Sequence, residues 1–222
     1  GVYRLPDGAY QMLISPPGGG YCGLLQASAD FGVATIATRG DNSLRTFAVN
    51  NALMLMYAFA SADKGTLMVH ASVIRNEGKG YLFLGKSGTG KSTHSNLWLK
   101  HIDGSELLND DNPVVRVSDE DATVYGSPWS GKTPCYKNES YPIRAIVRLS
   151  QAPHNAMRRL RGVQAIGALL PSLPPAFAFD ERLEDCVMDV LSAIVGRVPV
   201  YHLECLPDAA AAQLSHDTVF GL

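Results

Sequence analysis

The sequence predicts an α/β domain built around a mixed, partly antiparallel sheet and preceded by a small β-meander. Three observations carry this. Residues 1 to 40 alternate short apolar runs with turn residues. An apolar strand, a glycine-rich loop and a helix succeed one another between Tyr81 and Lys100. Hairpin-like strand pairs stand on both sides of that unit, where a purely parallel sheet would place helices.

The elements follow in order. Tyr10 to Ile14, Tyr21 to Gln26 and Gly32 to Thr38 read as short strands, with Pro16-Pro17-Gly18-Gly19-Gly20 as a turn. These form a first domain, 1–40, and the remainder, 41–222, forms a second. Asp41, Asn42 or Ser43 caps a helix running to Ala62, because a short oxygen-bearing side chain satisfies free amides of the first turn. Leu53, Met56, Tyr57 and Ala60 recur on one face of it. Thr66 to Ile74 and Gly80 to Leu84 read as strands joined by the turn Asn76-Glu77-Gly78-Lys79. His70 lies inside the first of them. Glu106 to Leu108, Val114 to Val117, Thr123 to Tyr125, Ile143 to Leu149 and Val198 to Cys205 are further strands. Arg158 to Leu170, Glu181 to Val195 and Asp208 to Ser215 are helices.

Composition narrows the function classes. The chain has 222 residues, 46% apolar and 18% charged, so it can bury a full core and has no signature of disorder. A formal net charge of −2 gives no case for a nucleic-acid or membrane partner. Phe47 to Ala62, the richest apolar stretch, is too short to span a bilayer and lacks the charged start of a signal peptide. Cys22, Cys135, Cys186 and Cys205 show neither Cys-x-x-Cys pairing nor zinc spacing, and read as reduced thiols of a cytoplasmic protein. A homo-oligomer is compatible with all of this.

Gly85-Lys86-Ser87-Gly88-Thr89-Gly90-Lys91-Ser92 matches G-x-x-x-x-G-K-[ST] at every fixed position. Tyr81 to Leu84 enters it as a strand, and Thr93 to Lys100 leaves it as a helix. Glycines let successive amides turn toward phosphate oxygens, and the helix start adds partial positive charge. This is a P-loop for ATP: Lys91 bridges the β- and γ-phosphates, and the Ser92 hydroxyl ligates Mg²⁺. Such a loop needs a carboxylate, and Leu107-Leu108-Asn109-Asp110-Asp111 supplies two at a strand end. Asp110 is assigned to Mg²⁺ and Asp111 to proton removal from an acceptor hydroxyl. The plainer reading of Asp110-Asp111-Asn112-Pro113 is a turn. The hairpin places His70 beside the strand that feeds the loop. Gly126 to Pro134 reads either as a second phosphate- or acceptor-contacting loop, with Lys132 neutralising charge, or as a tight turn over Trp129.

His70-Ala71-Ser72, Gly85 to Ser92 and Asp110-Asp111 together resemble the catalytic domain of HPr kinase/phosphorylase. In that family the histidine precedes the loop lysine by twenty-one residues, the separation of His70 and Lys91 here. The resemblance covers roughly residues 66 to 117. It implies catalytic roles for His70, Lys91 and Asp111, a metal role for Ser92, and the P-loop fold shared with phosphoenolpyruvate carboxykinase. The glutamate of the family's Glu-[aliphatic]-Arg-Gly signature and its later catalytic arginine have no counterpart in this chain. The function expected is ATP-dependent phosphoryl transfer to a hydroxyl, on a protein serine or a small molecule. A small carboxykinase-like enzyme and a nucleotide-binding regulatory protein are the alternatives.

Overall fold

The computed structural model describes residues 1–131, 133–174 and 180–221. It divides into two compact units: Gly1–Lys64 with Pro175–Val187, and Gly65–Pro174 with Met188–Leu222.

In the first unit, β1 (Val2–Arg4), β2 (Tyr10–Ile14), β3 (Gly23–Ala27) and β4 (Ala34–Thr38) pair in sequence order as an antiparallel sheet. This is the expected meander. Alternation along β2 buries Tyr10, Met12 and Ile14 on one face. Helix α1 (Asn42–Ala62) covers the sheet, and the Asp41 carboxylate accepts from the Leu44 amide as its N-cap. The inward face of α1 differs from the sequence expectation. It is made of Ala48, Ala52, Ala58, Phe59 and Ala62, while Leu53 and Tyr57 stay 59% and 39% exposed. Small side chains let the helix lie close on the sheet, and Phe59 fills the remaining gap against Phe31, 5.3 Å between ring centres. Tyr10 lies tilted against Phe31, 4.7 Å between ring centres, and donates its hydroxyl proton to Asp180 at 2.5 Å.

Among the described residues the second unit is built on a nine-stranded mixed sheet. Its strands are β5 (Thr66–Met68), β6 (Ala71–Asn76), β7 (Lys79–Leu84), β8 (Glu106–Asn109), β9 (Val114–Val117), β10 (Ala122–Tyr125), β11 (Ser140–Gln151), β12 (Ala156–Leu160) and β13 (Val200–Cys205). The spatial order is β5-β9-β10-β11-β7-β6-β8, with β13 on β11 and β12 on β13. β7, β11 and β13 run parallel, and every other pairing is antiparallel. The twelve residues of β11 serve three partners: Ser140–Pro142 pair with β10, Ile143–Arg148 with β7 and Ile146–Gln151 with β13.

Two apolar layers flank the centre. Helices α2 (Lys91–His101) and α5 (Ala209–Phe220) cover Tyr81, Phe83, Val147, Leu149, Tyr201 and Leu203, with Trp98 wholly buried among them. On the opposite face Leu82, Leu84 and Ile146 meet Leu169 of α3 (Val163–Leu169) and Leu191 and Ile194 of α4 (Glu181–Arg197).

Two sequence expectations are corrected here. Arg158 to Leu170 is not one helix. Its first residues belong to β12, held in register against β13, and α3 begins only after Gly162. His70 is not inside a strand, because β5 ends at Met68 and β6 starts at Ala71.

Candidate functional site

The glycine-rich loop joins the end of β7 to the start of α2. Gly88 and Gly90 adopt φ of 81° and 108°, a region closed to most side chains, and this brings the loop back onto the helix start. The Thr89 amide donates to the Lys86 carbonyl, and Gly90 caps α2 without a side-chain bond. Lys91 is 8% exposed and donates to the Gly85 carbonyl at 3.0 Å. Burial pushes its pKa down, while the charges of Asp111 and Asp110 act in the other direction. Lys86, Ser87 and Gly88 are exposed, Thr89 and Ser92 are half-buried, and Thr93 is exposed.

The acidic pair sits just past β8. Asp110 is 5% exposed, and both of its oxygens are engaged: Oδ1 accepts from Ser72 Oγ at 3.2 Å and Oδ2 from the Thr133 amide at 3.3 Å. Ser72 is in turn 2.6 Å from Ser95 on α2. A buried serine pair therefore ties β6, α2 and the carboxylate together. Asp111 is more open. Its Oδ1 lies 3.3 Å from His70 Nε2, and its Oδ2 accepts from Asn112 Nδ2 at 2.7 Å.

The backbone explains how His70 reaches Asp111. Between β5 and β6 the amides of Val69, His70 and Ala71 donate to the carbonyls of Pro113, Ser172 and Asp111. These three bonds hold the break open and fix the histidine beside the acid. The break removes His70 from the ladder and makes it available to a neighbour.

Gly126 to Pro134 closes over the pair. The Asn109 amide donates to Ser127 Oγ and to the Trp129 carbonyl, both at 3.2 Å, and Ser127 donates to the Asn112 carbonyl at 2.6 Å. A Cβ on Gly131 would stand 3.0 Å from the Asp110 carbonyl. This segment is therefore packed on the acidic turn, and Trp129 is half-buried rather than a core plug. Lys132 lies outside the described residues. Ser95, Asn109 and Ser127 were not singled out from sequence. Ser95 had a faint signal, since it lies one helical turn after Lys91 on the buried face of α2.

His94 has a structural role. Ser215 donates to the Ala212 carbonyl and accepts from Trp98 Nε1 at 2.8 Å, so its free lone pair takes the Nε2 proton of His94 at 3.0 Å. The imidazole is neutral, with burial pushing its pKa down to about 4. The sign of the linkage follows. The unfolded chain binds this proton first, so the contribution to stability is whole above pH 6.5 and is lost as pH falls toward about 4. At about 1.4 kcal/mol per pH unit, that loss amounts to roughly 3 kcal/mol. Urea unfolding at pH 7 and pH 4.5 should show a flatter dependence for His94→Gln than for the native chain. Parallel curves would remove His94 from the balance.

Two cavities flank the loop at Gly88 and Thr89. One, of about 600 Å³, is lined on its apolar side by Leu97, Pro153, Leu206 and Pro207. The other, of about 790 Å³, includes Lys86, Arg148, Arg158 and His202. Among the described residues no three His, Cys, Asp or Glu side chains converge as a metal cluster. No described helix is long and apolar enough to cross a membrane.

The family model described as SynChlorMet cassette protein ScmC matches residues 33–207, most of the chain. The chain belongs to the ScmC family. No curated protein matches it. Among solved structures the chain is similar to the HPr(Ser) kinase/phosphatase of Coxiella burnetii, at 13% identity and a TM-score of 0.40. That likeness covers 69% of this chain and 94% of the other.

Proposed function

We propose that this chain is an ATP-dependent kinase, akin to HPr kinase, that transfers a phosphoryl group to a hydroxyl. One juxtaposition carries the reading. A complete G-x-x-x-x-G-K-S loop stands at a strand–helix junction, and its lysine lies within electrostatic reach of two adjacent aspartates, the outer one paired with a histidine.

Each residue has a distinct task. The amides of Gly88 to Ser92 and the start of α2 bind the phosphate chain. Lys91 leaves the Gly85 carbonyl for the β- and γ-phosphates, where its charge matters most as the bond breaks. The apolar 600 Å³ cavity beside Thr93 holds the base, with Pro153, Leu206 and Pro207 as its walls. Ser92 and Asp110 are hard oxygen donors and fit Mg²⁺, which usually keeps several waters and takes few protein ligands. When bound, Mg²⁺ supplies charge neutralisation on the phosphates. Asp111 keeps a partly exposed carboxylate for the acceptor proton. His70, whose Nε2 lies 3.3 Å from Oδ1, orients it toward the acceptor.

The family is described as a cassette protein, so the acceptor is sought first among the other products of such a cassette. The test combines calorimetry of Mg·ATP with ATP consumption over those products, serine peptides, alcohols and oxaloacetate. Binding with a Kd of about 1 µM to 1 mM and hydroxyl-dependent consumption are expected. Consumption with oxaloacetate alone would point to a carboxykinase, and a folded chain that binds no nucleotide would end the kinase reading.

A further inference from the structure

The face of the sheet beneath α3 changes character abruptly at one level. Ile146 of β11, Val200 of β13 and Leu160 of β12 are in register across three strands, and all are buried. Two residues along, the same register row reads Arg148, His202 and Arg158. Three basic side chains thus stand side by side on adjacent strands, about 4.8 Å apart. Like charges directly opposite one another destabilise a sheet. Here burial comes first, then the charges of Arg158 and Arg148, in holding the His202 imidazole below its usual range, with Glu204 acting in the opposite sense.

Compensation within the described residues is slight. Arg148 gives one donor to the Gly167 carbonyl at 3.0 Å, and Ser150 Oγ lies 2.8 Å from His202 Nε2. Neither arginine, nor Lys86, forms an ion pair with a described residue, and no described carboxylate lines the cavity they share. The cavity measures about 790 Å³, is roomy enough for a small organic molecule, and meets the glycine-rich loop at Lys86 to Thr89.

We propose that this cavity is an anion pocket that holds a carboxylate or phosphate group of the phosphoryl acceptor through Arg148, Arg158 and Lys86. The assignment to the acceptor rests on the kinase reading; the anion pocket itself does not. Guanidinium forks suit both anions, since each offers paired oxygens to paired N–H donors. An anion between the two arginines relieves their mutual repulsion across His202. Its position beside the loop tip brings the molecule that carries it next to whatever the loop binds.

The experiment is a calorimetric titration of the full chain, saturated with Mg²⁺ and the non-hydrolysable ATP analogue AMP-PNP, with inorganic phosphate in one arm and malonate in the other. Nucleotide affinity is measured first on each variant. One anion is expected to bind per chain, more weakly as salt rises, and the preferred arm identifies the anion as phosphate or carboxylate. Arg158→Gln, at an exposed position, and Arg148→Gln are each expected to weaken that anion about 10- to 100-fold, with nucleotide affinity within about threefold. Arg158→Gln that binds both anions as tightly as the native chain overturns the pocket. Parallel loss of AMP-PNP affinity overturns its assignment to the acceptor, because the cavity then serves the nucleotide. Should the native chain bind no AMP-PNP, the kinase reading fails, and the same titrations on the free chain still decide the pocket.

Discussion

In the Lys91→Ala variant, phosphoryl transfer should fall at least about 10²- to 10³-fold, the effect of removing one preorganised charge partner from a developing oxyanion. Mg·ATP affinity should fall with it, by about tenfold or more, because the ammonium contacts the phosphates in the ground state as well. The fold should survive. Among the described residues Lys91 makes one hydrogen bond, to the Gly85 carbonyl, and burial already disfavours its charged form. Calorimetry alongside circular dichroism separates the two effects. Unchanged affinity in a folded variant would remove Lys91 from the nucleotide site.

Asp111→Asn should behave differently. A general base meets the acceptor proton only as the new bond forms, so kcat should drop about 10²- to 10⁴-fold while nucleotide affinity holds. Asp110→Asn should instead raise the magnesium requirement, since its proposed work is at the metal. The two carboxylates stand in different environments. Asp110 is buried and held on both oxygens, whereas Asp111 is about one-third exposed and faces His70. Steady-state kinetics of both variants across a magnesium titration is the measurement. If Asp111→Asn keeps its rate while Asp110→Asn loses it at saturating metal, the roles are exchanged. If both keep their rates, the base lies elsewhere.

What could be read in the sequence was local. The loop motif, the Asn76 to Lys79 turn and the Asp41 cap are each encoded within a few residues, and each lies where the pattern puts it. The approach of His70 to the loop strand followed from the hairpin alone. The break that frees its side chain did not, because the three carbonyls that hold it come from Asp111, Pro113 and Ser172. The serine pair under Asp110 joins residues twenty-three apart, and no short-range pattern reports it. β12 was misread because Arg158 and Arg159 show no alternation, and its partner strand lies some forty residues downstream. The inward face of α1 was misread because its alanines carry little hydrophobic signal, although a close-packed helix needs them.

The long strand β11 has a consequence for how the chain reaches its native state. Its neighbours β7 and β13 lie far away in sequence, at residues 79–84 and 200–205, and both pair with it in parallel. Closing such loops costs entropy before any contact is gained, so sheets of this kind form late and slowly. On a ribosome, β7 and β11 emerge well before β13 and α5, and until those arrive Ile146–Gln151 present an unpaired edge and Trp98 lacks its Ser215 partner. A chain cut short before Val200 should therefore aggregate rather than fold, because an open apolar edge recruits other strands. In the finished protein the same arrangement works in reverse. The amides of β11 between Ile146 and Leu149, paired with β13 over their whole length and buried apart from Arg148, should be the last to exchange with deuterium, opening only when the whole unit unfolds.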